Sequence, residues 1–468
     1  MNNTAPWLSP LCLVMIVFAT LITEWTGYQL PAVLAASVLL IFTFREWKGL
    51  ELTAKITSFV ALGLMLFLLV TAQITLLQLS ELSSSVVFFT FFLIALSLLK
   101  EAAQTSKSVA LTGLALLQQQ PTKRYALLTF ASHLFGILMS MGAINLLGTM
   151  INRSLEKDKH LIDQRINSVR QKRMMLAVLR GFCSIPLWAP TSVTITLLVT
   201  TIPQLQWIDI IPYGLYLAIA LLLFGIGLDH IQAPRYLNHL APRISNNLAD
   251  FKVGYPITIV VSALAGMSGL LMSNSPLRPI SAVLVAAIIV SILWIYAQYL
   301  QQQNKVVALK FTVTRFSTEI FYQLPAQRSE IVFFAASILI GRLLLTVLDL
   351  DLIAQQIAVL NLSAAVILIL SSWLIFIAAM LYINPMITVT LMAGALAQLP
   401  ILADMPVTIA LVMMVTWAVV IGSCPSATSV RISAKIADIW PTHMGIKWNG
   451  LYSGIVLVVL NMGILLWV

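Results

Sequence analysis

Hydroxyl-bearing residues gather twice in stretches otherwise apolar enough to lie in a membrane: Thr191-Ser192-Val193-Thr194-Ile195-Thr196 and Thr428-Ser429-Val430-Arg431-Ile432-Ser433. Each follows a Ser-x-Pro, Ser184-Ile185-Pro186 in the first stretch and Ser423-Cys424-Pro425 in the second. Proline removes a helix donor and clashes with the preceding turn, so both stretches are expected to break, the first over 184–192 and the second over 422–429. Backbone freed from helix hydrogen bonds is tolerated at membrane depth only where it lines a cavity or is buried in protein. A broken helix also offers two kinds of chemistry. The N-terminus of one half, with unpaired N–H groups and partial positive charge, favours an anion, and the C-terminus of the other favours a cation. Thr191, Ser192, Thr194, Thr428 and Ser429 add hydroxyls that can donate to an anion or coordinate a cation, and Ser184, Thr196 and Ser426 are the candidate ligands of a sodium ion. An isolated membrane Ser or Thr usually bonds its own preceding turn or a neighbouring helix, whereas clusters beside proline breaks suggest a solute site.

Arg431 occupies the place of Thr194 in the second stretch. A guanidinium within the membrane is costly unless paired. Its candidate partners are a carboxylate or sulfonate solute gripped bidentately, the nearby Asp438, or the cytoplasmic surface. Arg180 and His133 fall near the cytoplasmic ends of their elements, where snorkelling is expected, with a proton relay as the other reading of His133. Arg342 falls mid-span, where pairing across helices in a structural or dimer role is expected. Neither broken stretch has a well-centred Asp or Glu, which weighs against an antiporter driven by a membrane carboxylate. The three cysteines, Cys12, Cys183 and Cys424, form no disulfide or metal pattern with the histidines. No nucleophile has a base beside it in the sequence, so no enzyme is indicated.

These residues need a membrane framework to position them, and the composition supplies one. The chain has 468 residues, of which 60% are hydrophobic and 9% charged, with a mean hydropathy of +0.96. That excludes the soluble globular classes and indicates an all-α polytopic membrane protein. The net charge of +10 is scattered over short loops and works as a topology signal, so no nucleic-acid partner is expected. Spans are expected near 11–23, 30–44, 56–79, 86–99, 209–228, 253–273, 280–301, 331–348 and 446–467, with interfacial connectors over 100–120 and 302–325.

Loop charge then fixes the alternation. With Arg45, Lys48 and Lys55 inside, Glu24 and Glu81 fall outside, and the N-terminus is cytoplasmic. The basic segments 100–124 and 153–173 both require the cytoplasm, yet one apolar block separates them. A re-entrant hairpin over 125–152, turning at Ser140-Met141-Gly142-Ala143, satisfies both. A second hairpin over 361–400, with its break at Asn384-Pro385, is flanked by Asp349, Asp351 and Asp404 and opens outward. Arg278 is then the only Lys or Arg of 27 in an external loop. The order span, hairpin, broken crossing, span recurs from opposite sides, an inverted-topology repeat. Ser140, Asn145, Asn384 and Thr388 at the hairpin turns join the candidate solute ligands.

In this architecture the chain resembles the ion transporter superfamily, above all the divalent anion:sodium symporters, over essentially its whole length. The resemblance implies about eleven transmembrane helices plus two opposed re-entrant hairpins, an elevator mechanism and a homodimer. It further implies a cytoplasmic N-terminus and external C-terminus in an inner-membrane-type bilayer. The hairpin turns, Ser140-Met141-Gly142-Ala143-Ile144-Asn145 and Asn384-Pro385-Met386-Ile387-Thr388, lack the Ser-Asn-Thr of those symporters. The implied division is 1–124 as first scaffold, 125–228 as first transport half, 229–348 as second scaffold and 349–468 as second transport half. The functional expectation is secondary transport of a small anionic solute coupled to sodium or protons, with no cofactor beyond that ion. In this setting Arg431 could also stand where related proteins hold sodium. The rival within the superfamily is a sodium/proton-type cation antiporter.

Overall fold

The computed structural model describes residues 5–117, 119–157, 163–233 and 251–468, and among them every regular element is a helix. Among the described residues ten helices are long and apolar enough to cross a membrane. Hydropathy does not separate the central ones from the rim. Pro406–Ser423 and Leu52–Val70 are similarly apolar, yet most of the first is buried inside the protein and little of the second. The rim helices turn residues such as Phe18, Phe59 and Leu466 outward, as a lipid-facing surface requires. Trp25, Tyr28, Trp440 and Trp467, at or near helix ends, are exposed, where amphipathic rings suit a membrane interface.

Both broken stretches and both helical hairpins are present. The first hairpin joins Pro121–Met139 to Gly142–Lys157 through a turn at Ser140, whose φ is 49°. The second joins Ala364–Met380 to Pro385–Leu396 through a turn in which Tyr382 has φ 64°. The first broken stretch runs as Gln164–Cys183, a 3-10 turn over Ile185–Leu187, and Val193–Thr201. The second runs as Pro406–Ser423 and Thr428–Ala437, so its break spans only 424–427, shorter than expected.

These pieces pack in matching pairs. Each first half lies against the first helix of its own hairpin: Gln164–Cys183 on Pro121–Met139, and Pro406–Ser423 on Ala364–Met380. Each second half lies against the second helix of the opposite hairpin: Val193–Thr201 on Pro385–Leu396, and Thr428–Ala437 on Gly142–Lys157. Exchanging the two halves of the chain maps one set of contacts onto the other, the pattern an internal repeat produces. The remaining long helices surround this core, with Leu76–Gln104 against the first hairpin and Arg328–Val347 against the second.

Several long-range polar contacts join loop ends assigned to the same side by charge. Glu24 pairs with Arg278 and accepts from Ser281. At the other side Arg328 reaches Glu46 and the Gly49 carbonyl, Ser329 accepts from the Glu51 N–H, and Arg315 pairs with Glu101.

Several boundaries differ from expectation. The turn between the third and fourth long helices lies at 71–75, between Leu52–Val70 and Leu76–Gln104, so Glu81 sits on a helix and not in a loop. Thr75 fixes that start with a capping box to Gln78, a local signal overshadowed by the surrounding apolar run. Residues 100–104 complete the long helix, and only Lys107–Leu117 forms a separate connector. The connector at Lys305–Arg315 passes through a π-helical turn, Phe316–Ile320, and runs on toward the span at Arg328–Val347. Asp349 is not simply loop: its side chain caps a short helix, Leu350–Val359.

Candidate functional site

The two breaks meet inside the bundle. A Cβ placed on Gly422, at the end of Pro406–Ser423, would lie 3.2 Å from Cys183 Sγ, at the end of Gln164–Cys183. Close backbone approach holds each break in place. Gly214 of the helix Trp207–Gln232 lies so near the first break that a Cβ would sit 1.9 Å from the Leu187 carbonyl oxygen. Gly445 lies against the second, where a Cβ would sit 2.1 Å from the Ser423 carbonyl oxygen. Real Cβ contacts do not come that close, so both positions require glycine.

Around the first break, the polar residues divide into those already satisfied and those left without partners. Ser184 Oγ donates to the Gly181 carbonyl at 2.8 Å and lies 2.8 Å from His133 Nδ1. Trp188 Nε1 donates to His133 Nε2 at 3.0 Å, and Trp207 Nε1 donates to the Trp188 carbonyl at 2.8 Å. Accepting at Nε2 makes His133 a neutral Nδ1–H imidazole in this arrangement. It is 5% exposed, so the snorkelling expectation fails, and it works as a brace on the break. Ser192 caps Val193–Thr201 by accepting from the Ile195 N–H. By contrast, the hydroxyls of Thr191, Thr194, Thr196 and Thr201 are buried and have no hydrogen-bond partner. Buried hydroxyls without partners are rare and costly, and four in one short segment make it a candidate place for a polar ligand.

The second break has a different balance. Ser429 Oγ donates to the Ile421 carbonyl, and Ser426 Oγ donates to the Ala379 carbonyl at 2.9 Å, tying the break to the second hairpin. Ser433 is fully buried, and its hydroxyl has no partner. The N-terminus of Thr428–Ala437 has no side-chain cap and no acidic residue in its first turn. Its N–H groups therefore remain available to an anion. Thr428 and Arg431, one turn apart on that helix, are both exposed. Of the environments left open for Arg431, the structure places it at the surface, and no described ion pair joins it to Asp438. It lies on the open face of an amphipathic half-helix, on the side away from Ser429 and Ser433.

Of the hairpin-turn candidates, Ser140 is half-buried and Asn145 exposed. Asn384 caps the following helix by accepting from the Met386 N–H at 3.0 Å and donates from Nδ2 to Ser337 Oγ at 2.6 Å. Thr388 donates to the Pro385 carbonyl at 3.1 Å. Among the sodium candidates, Ser184 and Ser426 spend their hydroxyl protons on backbone carbonyls, and only Thr196 is unpartnered.

Two residues that matter here carry little signal in the sequence. Arg180, expected to snorkel, is 2% exposed. Its Nε donates to Asn449 Oδ1 at 2.9 Å, its Nη1 donates to Tyr125 Oη at 3.0 Å, and its guanidinium lies 4.7 Å from the centre of the Tyr452 ring. Asn449 is fully buried and was hidden by its position at the polar edge of an apolar span. Arg342 does pair across helices, as expected, by donating from Nη2 to the Thr200 carbonyl at the C-terminal end of Val193–Thr201.

No protein-family model matches this chain, and no curated protein matches it. Among solved structures it is similar to the Alcanivorax borkumensis YdaH transporter, with 16% identity over 81% of this chain and 84% of that chain and a TM-score of 0.47. A likeness at that level is too distant to assign either fold or function.

Proposed function

We propose that this chain is a secondary transporter that binds a small anionic solute, a carboxylate or similar, between its two helix breaks. The observation that carries this reading is the cluster of buried, unpartnered hydroxyls at Thr191, Thr194, Thr196 and Ser433 within a pair of matched breaks. The uncapped N-terminus of Thr428–Ala437, with Thr428 and Arg431 on its exposed face, adds N–H donors and a free positive charge. Both features favour an anion over a cation. The two hairpins become re-entrant elements entered from opposite sides. The pieces 125–228 and 349–468 form the moving part, which slides against 1–124 and 229–348 in a homodimer with its N-termini in the cytoplasm. On this reading the bonds from Asn384 to Ser337 and from Arg342 to the Thr200 carbonyl are two ties that break when the moving part slides.

The test is thermal stabilisation of the detergent-purified chain against a panel of small carboxylates, sulfonates and sulfate, each with and without sodium and at two pH values. A ligand stabilises by RT ln(1 + [L]/Kd). An anion that raises the melting temperature of the wild type but not of Arg431→Ala or Thr194→Val supports the site. Stabilisation by lithium, sodium or pH alone, with no anion effect, would replace this reading with a cation antiporter. Cross-linking Ser337→Cys to Asn384→Cys tests the sliding motion, because a locked pair should abolish transport in vesicles and a reducing agent should restore it.

A further inference from the structure

Both breaks leave the carbonyl end of a first half inside the bundle, where unwound helices ordinarily present oxygens to a coupling cation. Here the protein's own donors bond to several of those oxygens. At the first break the Gly181 carbonyl accepts from Ser184 Oγ, and the Phe182 carbonyl accepts from the Ser184 N–H. At the second, the Val420 carbonyl accepts from the Cys424 N–H at 2.9 Å, Ile421 from Ser429 Oγ, and Gly422 from Asn449 Nδ2 at 2.9 Å. Each donor points a partial positive charge where a cation would have to sit.

Behind Asn449 stands the full charge of Arg180. Every described partner of this guanidinium is neutral: Asn449 Oδ1, Tyr125 Oη, the Gly225 carbonyl at 3.4 Å and the Tyr452 ring. Asp229 is engaged by Arg173, from Nε at 3.0 Å and Nη2 at 2.7 Å. A guanidinium does not deprotonate in a protein, and a buried charge without an opposite charge is strongly disfavoured. The region between the breaks therefore carries an uncompensated positive charge that an anion would neutralise.

We propose that Arg180, acting through Asn449, stands in for a coupling sodium ion at the second break, so that this region binds a net-negative solute without sodium. Arg180 is a positioning and charge-setting residue and does not touch the solute. The anion half of this proposal rests on the function proposed above, and the sodium half stands on the donors at the Ile421 and Gly422 carbonyls and the charge of Arg180 behind Asn449.

The experiment compares melting temperatures of the full purified chain in sodium chloride and in choline chloride at equal ionic strength. The wild type should be indifferent to the exchange. Asn449→Asp preserves the side-chain shape and the acceptor for Arg180, while cancelling the charge and removing the donor to the Gly422 carbonyl. It should gain a saturable, sodium-specific rise of about 1–2 °C at ten times Kd. Arg180→Gln should do the same, and if that variant does not fold, Asn449→Asp decides. A saturable sodium response in the wild type, or no gain of response in the folded variants, overturns the proposal. Sulfate and succinate added to the wild type in choline separate the two readings. If neither shifts the melt while the sodium results are as expected, the anion reading fails and the substitution of a built-in cation for sodium stands.

Discussion

Replacing Thr194 with valine should stabilise this protein while abolishing its binding of solute. Thr194 is fully buried on the half-helix Val193–Thr201, and its hydroxyl has no partner. Valine has nearly the same shape, so the exchange removes a desolvated hydroxyl without opening a cavity. The penalty relieved is about 1–3 kcal/mol. With an unfolding entropy of roughly 2.1 cal/mol/K per residue over 468 residues, each kcal/mol corresponds to about 1 °C, so the melt should rise by about 1–3 °C. Thr416 provides the control. It is equally buried, but its hydroxyl donates to the Val412 carbonyl at 2.8 Å, so Thr416→Val loses a bond and should be neutral or destabilising by up to about 1 kcal/mol. Differential scanning fluorimetry of both variants in one detergent, without added solute, reads the difference in sign. If Thr194→Val lowers the melt as far as Thr416→Val or further, its hydroxyl is satisfied in the folded protein, and the inference from unpartnered groups to a binding site fails.

Three further outcomes follow from the packing. Gly214→Ala and Gly445→Ala each place a methyl within about 2 Å of a carbonyl oxygen, where only backbone displacement gives relief. Both should elute as aggregate or lose several degrees in the melt, whereas Gly227→Ala, with open space around it, should behave as wild type. Asp229→Ala leaves Arg173 without its partner in a site where the two side chains are only 7% and 16% exposed, and should cost about 3 kcal/mol. The double variant Arg173→Met/Asp229→Leu should recover most of that loss in the same melt. Arg431→Ala removes an exposed side chain with no described partner, so stability should change by no more than about 0.5 kcal/mol while any anion-dependent shift is lost.

Sequence by itself determined the organisation of this chain. Apolar runs locate membrane elements because a bilayer demands about twenty apolar residues per crossing, and loop charge orders them because basic residues stay on one side. That was enough to place the turn at Ser140 and two breaks near the Ser-x-Pro motifs, the second expected over 422–429 and found over 424–427. It misplaced the turn at 71–75, because an apolar run that continues through a turn looks like one that does not. Which polar groups have partners was decided by tertiary structure alone. Ser192 and Ser429 hold matching places in the two stretches, yet one accepts from the Ile195 N–H and the other donates to the Ile421 carbonyl. Arg180, expected to snorkel, is buried, and Arg431, whose surroundings the sequence left open, is exposed. Hydropathy records how much water a segment avoids, but the partner of a buried donor is set by what crosses it, and Asn449 lies 269 residues from Arg180.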